Sequence, residues 1–414
     1  MIDLEAAWAA LAEIDPLDSI ESVPIAQAAG RILAADVAAT ISQPAAATAA
    51  MDGYAVKLGE ATADAGMSYR VIGEAPAGAP FDGEIADASS AVRLFTGSIV
   101  PKGADHVIIQ EDVTREGDVI TLTEAQTAPA NIRAAGGDFA AGDVLAYASE
   151  LITPARQALL AAANCAELTV RPRLKVAIFA NGDEVRMPGE TLAAGQVINS
   201  APYGISSLLT RWGCDAKFLG IAGDTEDAVA EMFDRARDVD IVVPIGGASV
   251  GDYDFVKKVG RDRFDLTFEK VAMKPGKPVW FGSKDGQHVL GLPGNPASAL
   301  ACTYLLLSVL IRARQGRSPA KPAFVMAKAA TEFRPNGSRE NFLRATVRIN
   351  REGELWVHPQ PAQDSSLLTP FAAANALVRR PANAEEAAPR THLPVLLFED
   401  PSHGMVSEDK DQSD

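Results

Sequence analysis

Cysteine and histidine are scarce in this sequence. It has three cysteines, widely spaced at positions 165, 214 and 302, and five histidines among 414 residues. No two cysteines form a CxxC pair, so a disulfide framework and the common Cys/His zinc sites are excluded, and a reducing compartment is expected. A Ser-His-Asp pattern is also missing, which disfavours a serine hydrolase.

Positive charge is in short supply as well. The chain has 38 Lys and Arg residues against 54 Asp and Glu residues, a formal net charge of −16. A chain this acidic has no general attraction for nucleic acid or for an anionic membrane. An anionic ligand must therefore be met by a local group of cations or through a bridging metal ion.

The sequence lacks the segments that direct a protein to a membrane. Its N-terminus is acidic and amphipathic, without the basic region of a secretory signal. The longest apolar stretch, residues 299–311, is interrupted by Thr303 and Ser308 and is shorter than a bilayer span. We expect a cytoplasmic protein that binds neither membranes nor nucleic acid.

What the sequence does contain is a succession of differently patterned regions, enough for several domains at roughly 100–200 residues each. Short β-branched runs between turns predict a β-rich region at 51–147. After position 173, strands and helices alternate, which predicts a mostly parallel sheet with helices on both faces. The expected helices are 3–12, 24–36, 150–166, 202–212, 225–237 and 297–313, and the expected strands of the parallel sheet are 174–179, 217–221, 240–245 and 288–292. Residues 323–398 are strand-like again and predict a small β-domain.

Acidic residues stand beside turn glycines at two places. Asp52 precedes Gly53, and Asp183 and Glu184 follow Gly182 directly after the strand predicted at 174–179. Both places can have a purely structural role, the first as an Asp-Gly turn and the second as acids that stabilise a helix N-terminus. The second place is nevertheless the carboxyl end of a parallel strand, where open α/β sheets bind ligands.

A glycine-rich turn follows the next predicted strand. Residues 245–251 read Ile-Gly-Gly-Ala-Ser-Val-Gly, and the glycines would let backbone N–H groups approach a phosphate closely. The pattern is neither a dinucleotide-binding fingerprint nor a P-loop, so by itself it is only moderately specific.

Three lysines, Lys270, Lys274 and Lys277, stand close together, and a rigid turn with Pro293 and Pro296 follows them at the start of a predicted helix. A lysine cluster is most often a solvated face. Here the lysines alternate with apolar residues and end in Pro-Gly, which indicates fixed placement near a strand end. Acids for a divalent cation, glycine turns for phosphates and lysines for an anion together predict chemistry on a phosphoanhydride.

With these motifs in this order, the chain resembles the molybdopterin molybdenumtransferases, the family that includes the C-terminal domain of gephyrin. The motifs are MDGYA, TG followed by GAD, GDE, GG-x-SVG, KPGK and GLPGNP, and the resemblance covers about residues 3–400. It implies the final step of molybdenum cofactor synthesis, in which adenylylated molybdopterin and molybdate react with cleavage of the phosphoanhydride. Mg²⁺ is the implied cofactor, and AMP and molybdenum cofactor are the implied products.

The resemblance also implies a set of site residues. The carboxylates in catalytic positions are Asp52, Glu184, Asp224 and Asp254, of which the last three would hold the metal. The positions matched to substrate binding are Thr96, Arg133, Asp138, Gly246, Gly247, Ser249, Gly251, Lys270, Lys274, Pro293, Pro296, Arg344 and Ser365. Lys270, Lys274 and Arg344 would supply charge-assisted donors to molybdate.

The implied fold class is multi-domain α/β plus β, and the implied assembly is a homodimer with its active site in a cleft shared between subunits. The expected parts are a discontinuous N-terminal domain (1–41 and 143–171), an inserted β-rich domain (42–142), a molybdopterin-binding α/β domain (172–318), a C-terminal β-domain (319–400) and a disordered tail (401–414). The molybdopterin adenylyltransferase and the enzymes that receive the cofactor are further expected partners.

The sequence departs from the family pattern at two points near the expected nucleotide or pterin site. Asn181 stands where Ser or Thr is usual before Gly-Asp-Glu, and Asn199-Ser200-Ala201 stands where Asp-Ser-Asn is usual. Two alternatives to the enzyme stay open. One is a paralogue that binds molybdopterin or its cofactor for storage or delivery without turnover, and the other is a scaffold that binds partner peptides.

Overall fold

The computed structural model describes residues 1–59, 62–126, 130–247 and 255–400, and the chain forms two compact units. The β-rich unit comprises Ser22–Ala29 and Leu33–Val170. The α/β unit comprises Met1–Glu21, Gly30–Ile32 and the chain from Arg171 on. The finer division into four domains stays a prediction, and the predicted disordered tail lies outside the described residues.

The β-rich unit is built around a six-stranded sheet in the order β7-β4-β6-β5-β9-β8, in which only β5 and β6 pair in parallel. Side chains alternate across it, so Tyr54 and Val56 pack on one face while Ala55 packs on the other. Three two-stranded pairs, β1-β12, β2-β11 and β3-β10, complete the unit. The strands are β1 Glu21–Pro24, β2 Val37–Ala38, β3 Thr48–Ala49, β4 Gly53–Val56, β5 Ser68–Ala75, β6 Ser90–Leu94, β7 His106–Ile109, β8 Val113–Glu116, β9 Val119–Leu122, β10 Ile132–Arg133, β11 Val144–Ala146 and β12 Glu167–Val170.

The α/β unit contains a six-stranded sheet in the order β16-β13-β17-β21-β20-β18. Its first four strands are parallel; β20 is antiparallel to them, and β18 pairs antiparallel with β20 at the edge. The apolar run of β17 is buried along its whole length, as expected for a strand covered on both faces. The strands of this sheet are β13 Lys175–Asn181, β16 Asp215–Ala222, β17 Ile241–Ile245, β18 Asp265–Phe268, β20 Trp280–Lys284 and β21 Gln287–Gly291, and the short parallel pair β14 Val185–Arg186 and β15 Val197–Ile198 lies beyond β13.

A small barrel-like domain follows in the same unit. Its strands are β22 Val325–Ala329, β23 Glu340–Ile349, β24 Leu355–Pro359, β25 Ala376–Arg380 and β26 His392–Leu397. They run in the order β23-β24-β22-β26-β25, and β25 pairs back with β23 to close the ring. The two-residue strand β19, Met273–Lys274, comes from the region between β18 and β20 and pairs in parallel with the start of β23. The lysine motif is thereby attached to the barrel.

The helices are α1 Leu4–Ala12, α2 Pro154–Ala162, α3 Ala201–Arg211, α4 Glu226–Arg235, α5 Phe255–Arg263, α6 Pro296–Cys302, α7 Ser308–Arg314 and α8 Thr369–Ala372, with a π-helical turn, Thr303–Leu307, joining α6 to α7. In α2, Pro154 occupies the first turn and the Thr153 side chain accepts from the backbone N–H of Arg156. Both features favour the start of a helix at this position.

One helical stretch among the described residues, Pro296–Arg314, is long and apolar enough to cross a membrane. Its most apolar window is 72% buried inside the protein, and it contributes Leu305, Leu306 and Leu310 to the largest core. It therefore fits the core helix of this unit, and it is longer than the apolar stretch noticed in the sequence.

The multi-domain α/β plus β fold class is confirmed, but the helix predicted at 24–36 is wrong. That segment instead contains a strand end, a 3₁₀ turn Ile25–Gln27 and a turn at Gly30, whose φ is +74°. Leu33 then bridges to Val170 in an antiparallel arrangement. The alanines have helical propensity, but pairing with the β12 region outweighs it. Helix α5 and strands β18 and β20 were not anticipated.

Candidate functional site

The lysine motif opens onto a cavity of about 570 Å³, called here the cationic cavity. The turn after β19, the start of α6, strand β23 and the loop before α8 form its walls. Its lining includes Lys274, Lys277, Pro293, Asn295, Ser298, Arg339, Arg344, Gln363, Asp364 and Ser365.

Close packing fixes the turn that carries the lysines. Gly276 has a φ of +109°, and a Cβ added there would lie 2.5 Å from the Sγ atom of Cys302 in α6. Only glycine fits both this backbone conformation and this contact. Burial raises the pKa of the Cys302 thiol, which keeps it a neutral packing group beneath the turn.

The cationic cavity holds positive charge without matching carboxylates. Lys274 and Lys277 are exposed, and no ion pair or side-chain hydrogen bond joins either of them to another described residue. Among the described residues, the Arg339 side chain donates only one long bond, 3.4 Å, to the Met273 carbonyl oxygen. The nearby Asp364 carboxylate is bonded by the hydroxyl and backbone N–H of Ser366, which lowers its pKa. The cavity can therefore supply charge-assisted donors to an oxyanion.

Arg344 has a different environment from the lysines. It is 5% exposed, and burial lowers the pKa of its guanidinium. Its Nη1 donates to the Asp364 carbonyl oxygen at 2.8 Å, and its Nε donates to Oε1 of Gln363 at 3.2 Å. In this structure Arg344 holds the loop around residue 365 in place while it lines the cavity.

A second cavity of about 650 Å³, called here the strand-end cavity, lies at the carboxyl ends of β13 and β17. It shares Pro278, Pro293 and Asn295 with the cationic cavity, so the two spaces adjoin. Its lining also includes Asn181, Glu184, Val197, Asn199, Gly246, Gly247, Pro296 and Ser366. Asn295 connects the walls further, because its Nδ2 donates to Oγ of Ser365 at 2.8 Å.

Asp183 and Asp224, beside the strand-end cavity, form reciprocal hydrogen bonds. The backbone N–H of Asp183 donates to Oδ2 of Asp224, and the N–H of Asp224 donates to Oδ1 of Asp183, both at 3.1 Å. Each carboxylate thus keeps one oxygen without a hydrogen bond to a described residue. Glu184, the next residue, is exposed and lines the cavity.

Asp183, Glu184 and Asp224 are the acids nearest to the place where the sequence predicts an Mg²⁺ ion. Among the described residues, no group of three His, Cys, Asp or Glu side chains is arranged to hold a metal. Magnesium, however, is usually held by one or two carboxylates together with water and substrate phosphates. The free oxygens of Asp183 and Asp224, with Glu184 nearby, fit that mode. Asp254, the third predicted ligand, lies outside the described residues.

In the β-rich unit, the structure joins Asp52 to Thr96. Oδ1 of Asp52 accepts from the backbone N–H of Thr96 at 2.7 Å and from its hydroxyl at 2.8 Å, and these bonds lower the pKa of Asp52. The Arg93 guanidinium lies over the Tyr54 ring and adds a smaller effect in the same direction. Asp52 is thus held as a carboxylate. Arg133 and Asp138 are exposed elsewhere in this unit.

The predicted residues of the α/β unit fall into groups. The cationic cavity contains Lys274, Pro293, Arg344 and Ser365, and the strand-end cavity contains Glu184, Gly246, Gly247, Pro293 and Pro296. Asp224 adjoins Glu184 through Asp183, whereas Lys270 is half-buried and lines neither cavity. Ser249 and Gly251 lie outside the described residues.

Several lining residues were not selected from the sequence. Lys277 stood in the lysine motif and Asp183 beside Glu184, so both carried a signal. Arg339 and Gln363 had none, because they reach the cavity through the barrel. Asn199 is buried, and its Nδ2 has no hydrogen-bond partner among the described residues.

The chain matches known proteins over most of its length. Three family models match successive parts of the chain: the MoeA N-terminal region (domain I and II) at residues 2–164, a probable molybdopterin binding domain at 177–313, and the MoeA C-terminal region (domain IV) at 326–398. A structure of the molybdopterin biosynthesis MoeA protein from Pyrococcus horikosii superposes with a TM-score of 0.79 at 26% identity, covering 97% of this chain and 100% of that one.

Curated relatives match over most of their length. The molybdopterin molybdenumtransferase of Haemophilus influenzae is 35% identical over 382 residues, which cover 91% of this chain and 94% of that protein. That of a Nostoc species is 32% identical over 346 residues, covering 81% of this chain and 79% of its own. The chain therefore belongs to the molybdopterin molybdenumtransferase family of molybdenum cofactor biosynthesis enzymes, as its motifs predicted.

Proposed function

We propose that this transferase catalyses the final step of molybdenum cofactor synthesis. It takes adenylylated molybdopterin and molybdate, cleaves the phosphoanhydride in the presence of Mg²⁺, and releases AMP and molybdenum cofactor. The observation that carries the proposal is that two cavities adjoin, one lined by lysine and arginine and the other by the glycine turn and Glu184. They share Pro293 and Asn295 as a common wall.

The cationic cavity is the proposed site for molybdate. A doubly charged oxyanion needs donors that carry charge themselves, and Lys274, Lys277 and Arg339 bring that charge without carboxylate partners among the described residues. Lysine is suited to this role as a point charge with three donors, and arginine as a planar fork. Arg344 and Ser365 complete the wall, Arg344 chiefly by holding the loop.

The strand-end cavity is the proposed site for the pterin and its phosphates. Gly246 and Gly247 both have positive φ values, +97° and +61°, and present backbone close to the cavity. The N–H of Gly246 already donates to the Leu292 carbonyl oxygen at 3.1 Å, so the N–H of Gly247 is the one proposed to meet a phosphate or a polar edge of the heterocycle. Exposed apolar side chains of β15, Val197 and Ile198, line the same space and offer contact to a flat ring.

The carboxylates Asp183, Glu184 and Asp224 are the proposed holders of Mg²⁺ among the described residues, and Asp254 remains a proposed ligand. When bound, the ion would neutralise phosphate charge and polarise the anhydride. The chain's own contribution is to place these acids beside the strand-end cavity. Asp52 is proposed to act as a further carboxylate in catalysis, with Thr96, Arg133 and Asp138 in substrate binding.

A homodimer in the cytoplasm is proposed as the working form, with the molybdopterin adenylyltransferase and cofactor-receiving enzymes as partners. This rests on the family relationship. Light scattering at micromolar concentration tests the dimer, and a strict monomer with full activity would contradict it.

One assay tests the reaction itself. The chain is incubated with adenylylated molybdopterin, Mg²⁺ and molybdate, and AMP is measured by chromatography. AMP release that depends on both added ions supports the proposal. Tight ligand binding without AMP release would instead support the storage or delivery paralogue. Binding of neither substrate would support the scaffold.

A further inference from the structure

Asn181 lies where three strand ends meet. It is the last residue of β13 and is 7% exposed. Its Nδ2 donates to the carbonyl oxygens of Ala222, at 3.3 Å, and Gly223, at 3.1 Å, which end β16 and begin the loop that carries Asp224. A single side-chain amide thus ties the end of one strand to the loop after its neighbour.

The same loop is joined to β13 by further bonds. The backbone N–H of Gly182 donates to the Ala222 carbonyl oxygen at 3.2 Å, one residue beyond Asn181. The reciprocal bonds between Asp183 and Asp224 follow directly. Asn181 is therefore the buried, inner member of the group of contacts that sets the spacing of the two carboxylates.

Asn181 is also packed against the glycine turn after β17. A Cβ at Gly246 would lie 2.8 Å from the Asn181 carbonyl oxygen, and one at Gly247 would lie 3.1 Å from its Oδ1. The glycine turn therefore packs closely against Asn181 on one side, and only residues without a Cβ leave room for it there. The hydrogen bonds of Nδ2 to the Ala222 and Gly223 carbonyl oxygens hold the amide in its orientation.

We propose that Asn181 is a positioning residue, which sets the loop of Asp224 against the loop of Asp183 and Glu184. The inference rests on the proposed function of these carboxylates. An amide has two N–H groups and can serve both carbonyls, whereas the Ser or Thr usual in the family has a single O–H donor. The asparagine of this chain therefore gives the Asp224 loop an additional side-chain tie.

The test compares Asn181→Leu, which removes the donors at similar volume, with Asn181→Ser, which restores one. Asn375→Leu is the matched control, because Asn375 is also buried and bonds the backbone N–H and carbonyl of Val347 within the barrel. Hydrogen–deuterium exchange is followed in peptides covering residues 182–186 and 222–226, without any ligand. Turnover is measured as AMP release.

We expect faster exchange in both peptides for Asn181→Leu, a smaller change for Asn181→Ser, and none there for Asn375→Leu. The kcat should fall roughly tenfold or more in Asn181→Leu, with the molybdate KM within about twofold. In a protein that already carries Asp224→Asn, adding Asn181→Leu should lower kcat by less than about twofold, because Asn181 acts through Asp224.

Unchanged exchange in both Asn181 variants would overturn the proposal, as would a kcat loss that is equal in the two backgrounds. An equal kcat loss in Asn375→Leu would show a general effect of destabilisation and would also refute it. If Asn181→Leu does not fold, Asn181→Ser carries the same comparisons. Wild-type protein that releases no AMP would contradict the proposed function, while the exchange data would still decide the role of Asn181.

Discussion

Replacing Lys274 by Gln should weaken molybdate use while leaving the pterin site intact. Lys274 is exposed, lines the cationic cavity and has no ion-pair partner among the described residues. It is held in register by β19, where it pairs with Asn341 of the barrel. The substitution keeps much of the side-chain length and hydrogen-bonding capacity, so the charge is the main quantity removed.

The expected size of the effect follows from one charge-assisted hydrogen bond. Such a bond contributes about 1.5–3 kcal/mol, and about 1.4 kcal/mol corresponds to a tenfold change in affinity. The molybdate concentration for half-maximal cofactor formation should therefore rise roughly 10- to 100-fold. Excess molybdate should recover part of the activity, because Lys277 and Arg339 remain in the cavity.

The assay is cofactor formation against molybdate concentration, with adenylylated molybdopterin binding measured separately. Lys284→Gln is the control, since Lys284 is also an exposed lysine at a strand end but lines neither the cationic nor the strand-end cavity. A molybdate dependence that does not move would identify Lys274 as a solvated surface charge. Collapse of pterin binding with unchanged molybdate dependence would assign the lysine to the pterin phosphate and refute the reasoning.

Three further predictions follow from local contacts. Gly276→Ala should lower the free energy of unfolding by about 1–3 kcal/mol, because the new Cβ clashes with Cys302 and the residue has a positive φ. Gly286→Ala, at a positive φ but with nothing within 4 Å of the new Cβ, should lower it less. Calorimetry compares the melting temperatures of the two variants. Thr96→Ala removes one of the two bonds that depress the pKa of Asp52, so that pKa should rise part of the way towards its ordinary value, which NMR titration of the carboxyl carbon can follow. Burial lowers the pKa of His288 to about 4, so stability should fall as the pH drops from the unfolded pKa near 6.5 through 4, because the unfolded chain takes up the proton first. Urea unfolding at pH 7.5 and 4.5 should show a smaller loss in H288Q; an equal loss would refute this assignment.

The central sheet could be predicted from the sequence because its signal is local. The apolar runs of β13 and β17 are each followed by polar and glycine residues, and the intervening helices have their own periodicity. The antiparallel strand β20 was missed because it gains its place through pairing with β21, which no local pattern announces. The helix predicted at 24–36 failed for the same reason, since strand pairing with a distant segment decided its conformation.

The candidate site was predictable where its residues stand in motifs and unpredictable where the fold brings them together. Glu184, Gly246 and Pro293 stand in motifs at strand ends, and all three line the strand-end cavity, while their roles stay predictions. Arg339 and Gln363 come from the barrel and enter the cationic cavity only because β19 pairs with β23. That pairing joins two segments more than sixty residues apart and leaves no trace in the sequence between them.

The charge distribution of the described residues explains why the cationic cavity matters in so acidic a protein. Several cations of the α/β unit are paired with acidic neighbours, as Lys257 and Arg261 are with Glu269 and Arg379 is with Glu340. Lys274 and Lys277 have no such partner among the residues that the structure describes. Both lysines are therefore available to an anionic ligand, although at −16 net charge the protein repels anions at long range. Added salt should screen the attraction of this cavity for molybdate and so weaken binding. It should also screen the long-range repulsion, which acts in the opposite sense on the approach of the anion. The association rate should therefore depend weakly on salt and the dissociation rate strongly.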